Sequence, residues 1–249
     1  MPLKPLKWYK NLATKKGRLE AGAFLIEGEK AIKQVIATHP DEIIEIITIE
    51  KLSPAYDNYS IRQVTESQFR SISQTKTPQG IIAVVRLPHN TFSDYLPETI
   101  GTKILVLEDI QDPGNIGTLI RSAAAFNFDG IILSGKCADP LSQKCIQSTA
   151  GTVLSVWIRK TAHYLECLQE LKKNGYSLIA ADLDGTENPS ILGSQDKLLL
   201  ALGNEASGLS KSVLNASHHR LQIPIIRQKV ESLNVAACGA ICMYLSSCK

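Results

Sequence analysis

Short apolar runs rich in isoleucine and valine alternate along this chain with longer segments whose apolar residues recur at helical spacing. Alternation of that kind predicts an α/β protein with a largely parallel sheet, because strands buried on both faces read as continuous apolar runs. The pattern occurs twice. In the first part Ala23–Ile26, Ile43–Ile49 and Gly80–Val85 read as strands, and Glu29–Thr38 and Glu66–Ser71 as helices. In the second, Lys103–Leu107, Gly130–Leu133, Ser177–Ala181, Lys197–Leu202 and Arg220–Ile223 read as strands, each followed by a loop and most then by a helix. Between the two lies Leu87–Pro97, with two prolines and several turn formers, which reads as a linker. The expectation is therefore a small domain over residues 1–97 and a larger one over 98–249.

Composition narrows the class. With 249 residues, 44% apolar and 20% charged, the chain has enough apolar material for real cores. The start, Met1-Pro2-Leu3-Lys4-Pro5-Leu6, lacks an apolar core of signal-peptide length, and no run approaches the roughly 18 apolar residues of a membrane span, so a soluble cytoplasmic protein is expected. Net charge is only +3, but Met1–Glu20 holds six basic residues (Lys4, Lys7, Lys10, Lys15, Lys16, Arg18) against one acid, with Trp8 and Tyr9 among them. Such interleaving suits phosphates and exposed bases, and equally suits a solvated terminus. Six cysteines without a C-x-x-C pair read as buried thiols; Cys238 and Cys242 stand one helical turn apart, but nothing completes four ligands for a metal.

Three segments could carry chemistry. In Leu105–Phe126 a strand meets an Asp-Pro-Gly turn, Asn115 and Gly117 follow, and a helix is expected to carry Arg121 about one turn in, near where helix amino termini meet ligands in open α/β sheets. A plainer reading makes Asn115 a helix cap and Arg121 a surface residue. In Leu198–Ser210 an apolar strand runs into Gly203-Asn204-Glu205 and Gly208, which lets main chain approach a nucleoside closely, though an ordinary strand-to-helix loop would look the same. In Leu221–Tyr244 a strand stops at Pro224, a polar loop follows, and Ser232-Leu233-Asn234 opens a helix so small and apolar that it must be buried. Neither G-x-G-x-x-G nor a P-loop lysine is present, which removes support for dinucleotide or triphosphate binding.

Taken together, these segments resemble the SpoU-type (TrmH-like) RNA 2′-O-ribose methyltransferases. Asn115, Gly117 and Arg121 match the first motif of that family; Leu202, Gly203, Glu205, Gly208 and Leu209 the second; Ile223, Pro224, Ser232, Leu233 and Asn234 the third. Phe24–Gly28 and Thr77–Val85 resemble the small, ribosomal-protein-like substrate domain that many members carry. One departure stands out: Ile225-Ile226-Arg227-Gln228-Lys229 replaces the glycine usual shortly after I-P and makes the loop one residue longer.

The resemblance implies a carboxy-terminal domain tied in a deep trefoil knot (the α/β-knot, SPOUT fold), S-adenosylmethionine as cofactor, no metal, and a homodimer with its site at the subunit boundary. It also implies that the main chain of Leu202, Gly203, Ile223 and Leu233 holds the cofactor and that Arg121, Asn115, Glu205, Ser232 and Asn234 form the catalytic group. RNA is the implied partner, with large-subunit ribosomal RNA the expected substrate from the two-domain length. The alternatives are a transfer RNA ribose methyltransferase, an inactive RNA- or ribosome-binding member of the fold, and an unrelated nucleotide-binding α/β enzyme.

Overall fold

The computed structural model describes residues 4–248; Met1-Pro2-Leu3, on which the reading of the start partly rests, and Lys249 lie outside them. In chain order the first elements are α1 (Leu6–Asn11), α2 (Lys15–Ala21), β1 (Ala23–Glu27), α3 (Glu29–Thr38), β2 (Ile43–Thr48), β3 (Ile61–Gln63), α4 (Glu66–Ile72) and β4 (Ile81–Arg86). Then come β5 (Lys103–Leu107), α5 (Pro113–Ala125), β6 (Gly130–Ser134), α6 (Gln143–Thr149), β7 (Trp157–Thr161), α7 (Tyr164–Lys173), β8 (Ser177–Ala181), β9 (Leu198–Leu202), α8 (Lys211–Ala216), β10 (His219–Leu221) and α9 (Val235–Leu245).

These elements form two compact units. The first comprises residues 1–89 together with 139–154, and the second residues 90–138 together with 155–249. The division falls at His89/Asn90, inside the expected linker Leu87–Pro97, and one stretch of the later sequence belongs with the earlier unit. The expected linker is not slack either. Thr91 O accepts from Lys160 N at 2.7 Å, Tyr95 O from Arg159 Nε at 2.8 Å, and Asp94 from the Thr161 hydroxyl, so its second half lies along β7.

Within the first unit the sheet order is β1-β4-β2-β3. The parallel sheet expected here is a mixed one: β4 lies between β1 and β2 and runs opposite to both, and only β2 and β3 are parallel. Apolar continuity misled the reading, because β1 is buried throughout and β4 nearly so, as parallel strands usually are. Tyr9 is fully buried in this core, its hydroxyl donating to Glu45 at 2.6 Å while Arg62 stacks 5.1 Å from its ring, and Arg18 is buried in an ion pair with Asp139. Neither is therefore available to nucleic acid, whereas Lys4, Lys7, Lys10, Lys15 and Lys16 are exposed.

The second unit is a six-stranded sheet of order β10-β8-β9-β5-β6-β7 in which every pairing is parallel. Sequential strands β5, β6 and β7 spread in one direction, while β9 returns beside β5 and carries β8 and β10 on its far side. Order reversal of this kind opens a crevice at the carboxyl ends of the strands. Helix α9 packs on α5 and β9 so closely that a Cβ on Gly239 would sit 2.4 Å from Leu119 Cδ2. It is not buried all round, however: Ala237, Ile241 and Tyr244 form an exposed face.

Candidate functional site

The site begins where β5 ends. Glu108, only 3% exposed, accepts a hydrogen bond from Ser210 N at 2.6 Å and another from the Tyr164 hydroxyl. Burial first, then the neighbouring carboxylate, push the Tyr164 phenol well above its ordinary range, so it remains a donor. Asp109 follows in the left-handed region (φ 57°), held by Ser134, whose hydroxyl donates to Asp109 Oδ1 at 2.6 Å. Asn204 Nδ2 donates to the Asp109 carbonyl at 2.8 Å, and Asn204 Oδ1 accepts from Ala206 N and Ser207 N. The loop from Gly203 to Ser210 is thereby pinned at both ends by consecutive residues of another strand end. Gly203 must be glycine, since a Cβ there would lie 2.2 Å from the Gly208 carbonyl carbon.

Helix α5 starts earlier than expected. Asp112 is its cap, accepting from Gly114 N at 2.5 Å, and Pro113 takes the first position, where a missing N–H costs nothing. Asn115 is therefore the third helical residue, not the cap. Its side chain is oriented from both sides: Nδ2 donates to Glu205 Oε1 at 2.7 Å, and Oδ1 accepts from Asn234 Nδ2 at 3.1 Å. Asn234 in turn caps α9 through Oδ1, which accepts from Ala236 N and Ala237 N. A single chain of hydrogen bonds thus joins residues from all three motif segments.

Arg121 does not join it. As the ninth residue of α5, its backbone lies about 12 Å along the axis from Pro113, two turns in rather than one. Its side chain is exposed and forms no hydrogen bond or ion pair with any described residue.

A cavity of about 610 Å³ opens at the carboxyl ends of β8, β9 and β10. Leu202, Gly203, Ile223 and Leu233, the four residues expected to hold a cofactor, all line it, together with Glu205 and Ser232. Sequence reading missed the wall Ala181–Asp184, the carboxylate of Glu231, and Cys238. The first followed an apolar strand and ended in Asp-x-Asp-Gly, a signal no stronger than an ordinary turn until β8 is known to neighbour β9. Cys238 is half-buried, and a hydrogen bond from the Cys242 thiol holds it below the ordinary cysteine value. The expectation of six buried thiols thus fails for Cys238 and for exposed Cys248. Among the described residues no group of three or more His, Cys, Asp or Glu is placed to hold a metal, and no helix is long and apolar enough to cross a membrane.

Comparison with known proteins gives this geometry a lineage. Residues 102–244 match the SpoU rRNA Methylase family, and residues 4–83 the MRM3-like substrate binding domain. The chain is 30% identical over 244 residues to the 23S rRNA (guanosine(2553)-2'-O)-methyltransferase RlmP of Bacillus subtilis (strain 168), covering 96% of this chain and 94% of that protein. Among solved structures, a TrmH-family protein of Porphyromonas gingivalis superposes with a TM-score of 0.80 at 27% identity, covering 99% of this chain and 98% of that one. The SpoU methyltransferase AviRb of Streptomyces viridochromogenes, in complex with AdoMet, shares the fold with a TM-score of 0.81 at 22% identity over 97% of this chain and 96% of its own. With the family profile spanning more than half its length and a relative matched nearly end to end, the chain belongs to the SpoU rRNA methylase family.

Proposed function

We propose that this protein works in the cytoplasm as a homodimer and methylates a ribose 2′-hydroxyl of large-subunit ribosomal RNA. It is an S-adenosylmethionine-dependent RNA 2′-O-ribose methyltransferase by family. The observation that carries the reading is the cavity. Its volume lies within the range of about 300–1,000 Å³ usual for small-ligand sites. Leu202, Leu209, Ile223 and Leu233 offer apolar walls for an adenine ring, and the strand ends offer main-chain groups for its edge. Glu205 and Glu231 supply negative charge, Asp182 and Asp184 being paired with Arg220 and Arg227, and among the described residues no lysine or arginine lines the space, which suits a cationic sulfonium and opposes a triphosphate. The residues present therefore fit the cofactor, whose sulfonium supplies an electrophilic methyl group.

A ribose hydroxyl is a weak nucleophile near neutral pH, so the protein must orient it and ease loss of its proton. Asn115, locked between Glu205 and Asn234, presents a fixed edge beside the cavity, with Ser232 on its wall. These four position the ribose, Asn115 keeping Glu205 directed. Arg121 is assigned the developing alkoxide and the adjoining phosphate, with the proton leaving through that phosphate or water, because a guanidinium is not deprotonated in proteins. Its isolation within one subunit supports a site completed by the partner copy. The exposed apolar face Ala237, Ile241 and Tyr244 supports the same arrangement, since those residues recur along one side of α9. In this reading the final segment threads a loop as a trefoil knot, and the cavity lies among the three chain segments that follow β8, β9 and β10. The first unit, with its exposed lysines on α1 and α2, takes the role of RNA holder.

Calorimetric titration with S-adenosylmethionine, S-adenosylhomocysteine and ATP tests the assignment. Saturable binding of the first two and not the third is expected. Folded protein that binds none of them would move the reading to an RNA-binding member without catalysis.

A further inference from the structure

Two of the cavity's walls are the loop Asp182–Asp184 after β8 and residues from the segment Ile223–Leu233 after β10. Beyond the pairing of β8 with β10, side chains of Gln222 and Arg227 reach across to the loop. Gln222 Nε2 donates to the Leu183 carbonyl at 2.7 Å, and the Arg227 guanidinium donates to the same carbonyl while lying 3.5 Å from Asp184 Oδ1. At the foot of the loop Arg220 grips the Asp182 carboxylate, with Nε at 2.8 Å. Arg220 and Gln222 stand at the end of a strand already paired with β8, so they add little reach. Arg227 is different. It heads a turn in which the Ile226 carbonyl accepts from Lys229 N at 2.9 Å and Val230 N at 3.3 Å, and this turn folds the polar segment back on itself. The turn itself has almost no other anchorage: Ile226 and Val230 are exposed, as are Gln228 and Lys229.

The geometry points to Arg227 as a positioning residue that fastens the segment after β10 to the loop after β8, so that entry and exit of the methyl donor require its release. The inference rests on the cofactor assignment of the cavity. The guanidinium suits the task, because its Nη2, which carries two donor hydrogens, lies against both a carbonyl and a carboxylate of the loop. With Arg227 half exposed and Asp184 more so, the pair contributes only modestly, and a change of about fivefold is the scale to expect.

Stopped-flow dissociation of S-adenosylmethionine and of S-adenosylhomocysteine is the test, on the full-length protein. Arg227→Ala should release both ligands about fivefold faster with the melting temperature unchanged, Arg227→Lys should recover part of the difference, and Lys229→Ala, which removes a cation from the same turn, should leave both rates alone. If Arg227 acted through charge alone, its removal would slow release of the cationic donor relative to the neutral product, and Lys229→Ala would do likewise; that pattern, or unchanged rates, overturns the inference. Failure of the unaltered protein to bind either ligand would instead overturn the cofactor assignment.

Discussion

At the scale of single residues, the arrangement separates groups that hold from a group that acts. Asn115, Glu205 and Asn234 satisfy one another, and a network already satisfied within a subunit rigidifies its surroundings. Arg121 has no such partner. Its replacement should therefore cost nothing in folding and much in turnover. For Arg121→Ala we expect unchanged melting temperature and donor affinity, with kcat lower by about a hundredfold or more, the scale seen when one preorganised transition-state donor is removed. Arg121→Lys should recover little, since a point charge does not replace a planar fork. Calorimetry and single-turnover methylation of ribosomal RNA together check this, and normal turnover in Arg121→Ala would reject the role. Gly203 and the strand stop at Pro224 leave local marks in the sequence, a close approach and an end to pairing, whereas Leu202, Ile223 and Leu233 were pointed out as cofactor holders by the family resemblance. Asp182, Asp184 and Glu231 were not legible, because what makes a turn carboxylate a cavity wall is which strand lies beside it, and strand order is a long-range property.

Elements were legible in proportion to how far burial controlled them. The apolar strands β5, β6 and β9 appear where expected within a residue, whereas β7, Trp157-Ile158-Arg159-Lys160-Thr161, passed unnoticed because its two cations break the apolar run. Arg159 is nevertheless buried, since the Tyr95 and Ile158 carbonyls accept its hydrogen bonds, and no local pattern announces such a partner. The opposite edge of the sheet should respond to pH. His218 Nδ1 accepts from Leu178 N at 2.9 Å while its own amide donates to Leu178 O at 2.8 Å, joining the entry of β10 to β8. Burial, then Lys172 and His219, hold His218 below the ordinary histidine value. A depressed value means that the unfolded or detached state binds more protons, so this edge is most stable above the ordinary pKa of about 6.5 and weakens as pH falls from there through the folded value. Exchange of the Leu178 amide, corrected for intrinsic rate, should therefore lose protection between neutral pH and pH ~5, an interval set by that ordinary pKa. His218→Phe should abolish the pH dependence. Constant protection in the native protein would show that the ring does not titrate against this bond.

For the molecule as a whole, the instructive point is that sequence order and compactness disagree. Alternation of strands and helices gave no warning that residues 139–154 leave the second unit, because α6 reads like any other crossover helix. What fixes the segment to the first unit is specific. Arg18 donates to the Leu12 and Ala13 carbonyls at 3.0 and 3.2 Å and pairs with Asp139, and a Cβ on Gly151 would lie 2.4 Å from the Ala31 carbonyl oxygen. Between these anchors Leu141, Cys145, Ile146 and Thr149 are buried, and Val153 just beyond them is too. Removing one member of a buried ion pair leaves the other uncompensated and costs about 3 kcal/mol, somewhat less here because Asp139 keeps some solvent access. Arg18→Met should therefore speed hydrogen exchange across residues 142–154. Every residue lining the cavity lies between Ala181 and Cys238, within the second unit, so donor affinity should be unaffected. Asp139→Asn should do less, because Arg18 keeps its two carbonyl acceptors and an amide oxygen in place of the carboxylate. If 142–154 kept full protection in Arg18→Met, the apolar face of α6 alone would account for its place in the first unit. If donor affinity fell with protection, the two units would be energetically coupled, and α6 would be the first element through which to trace that coupling.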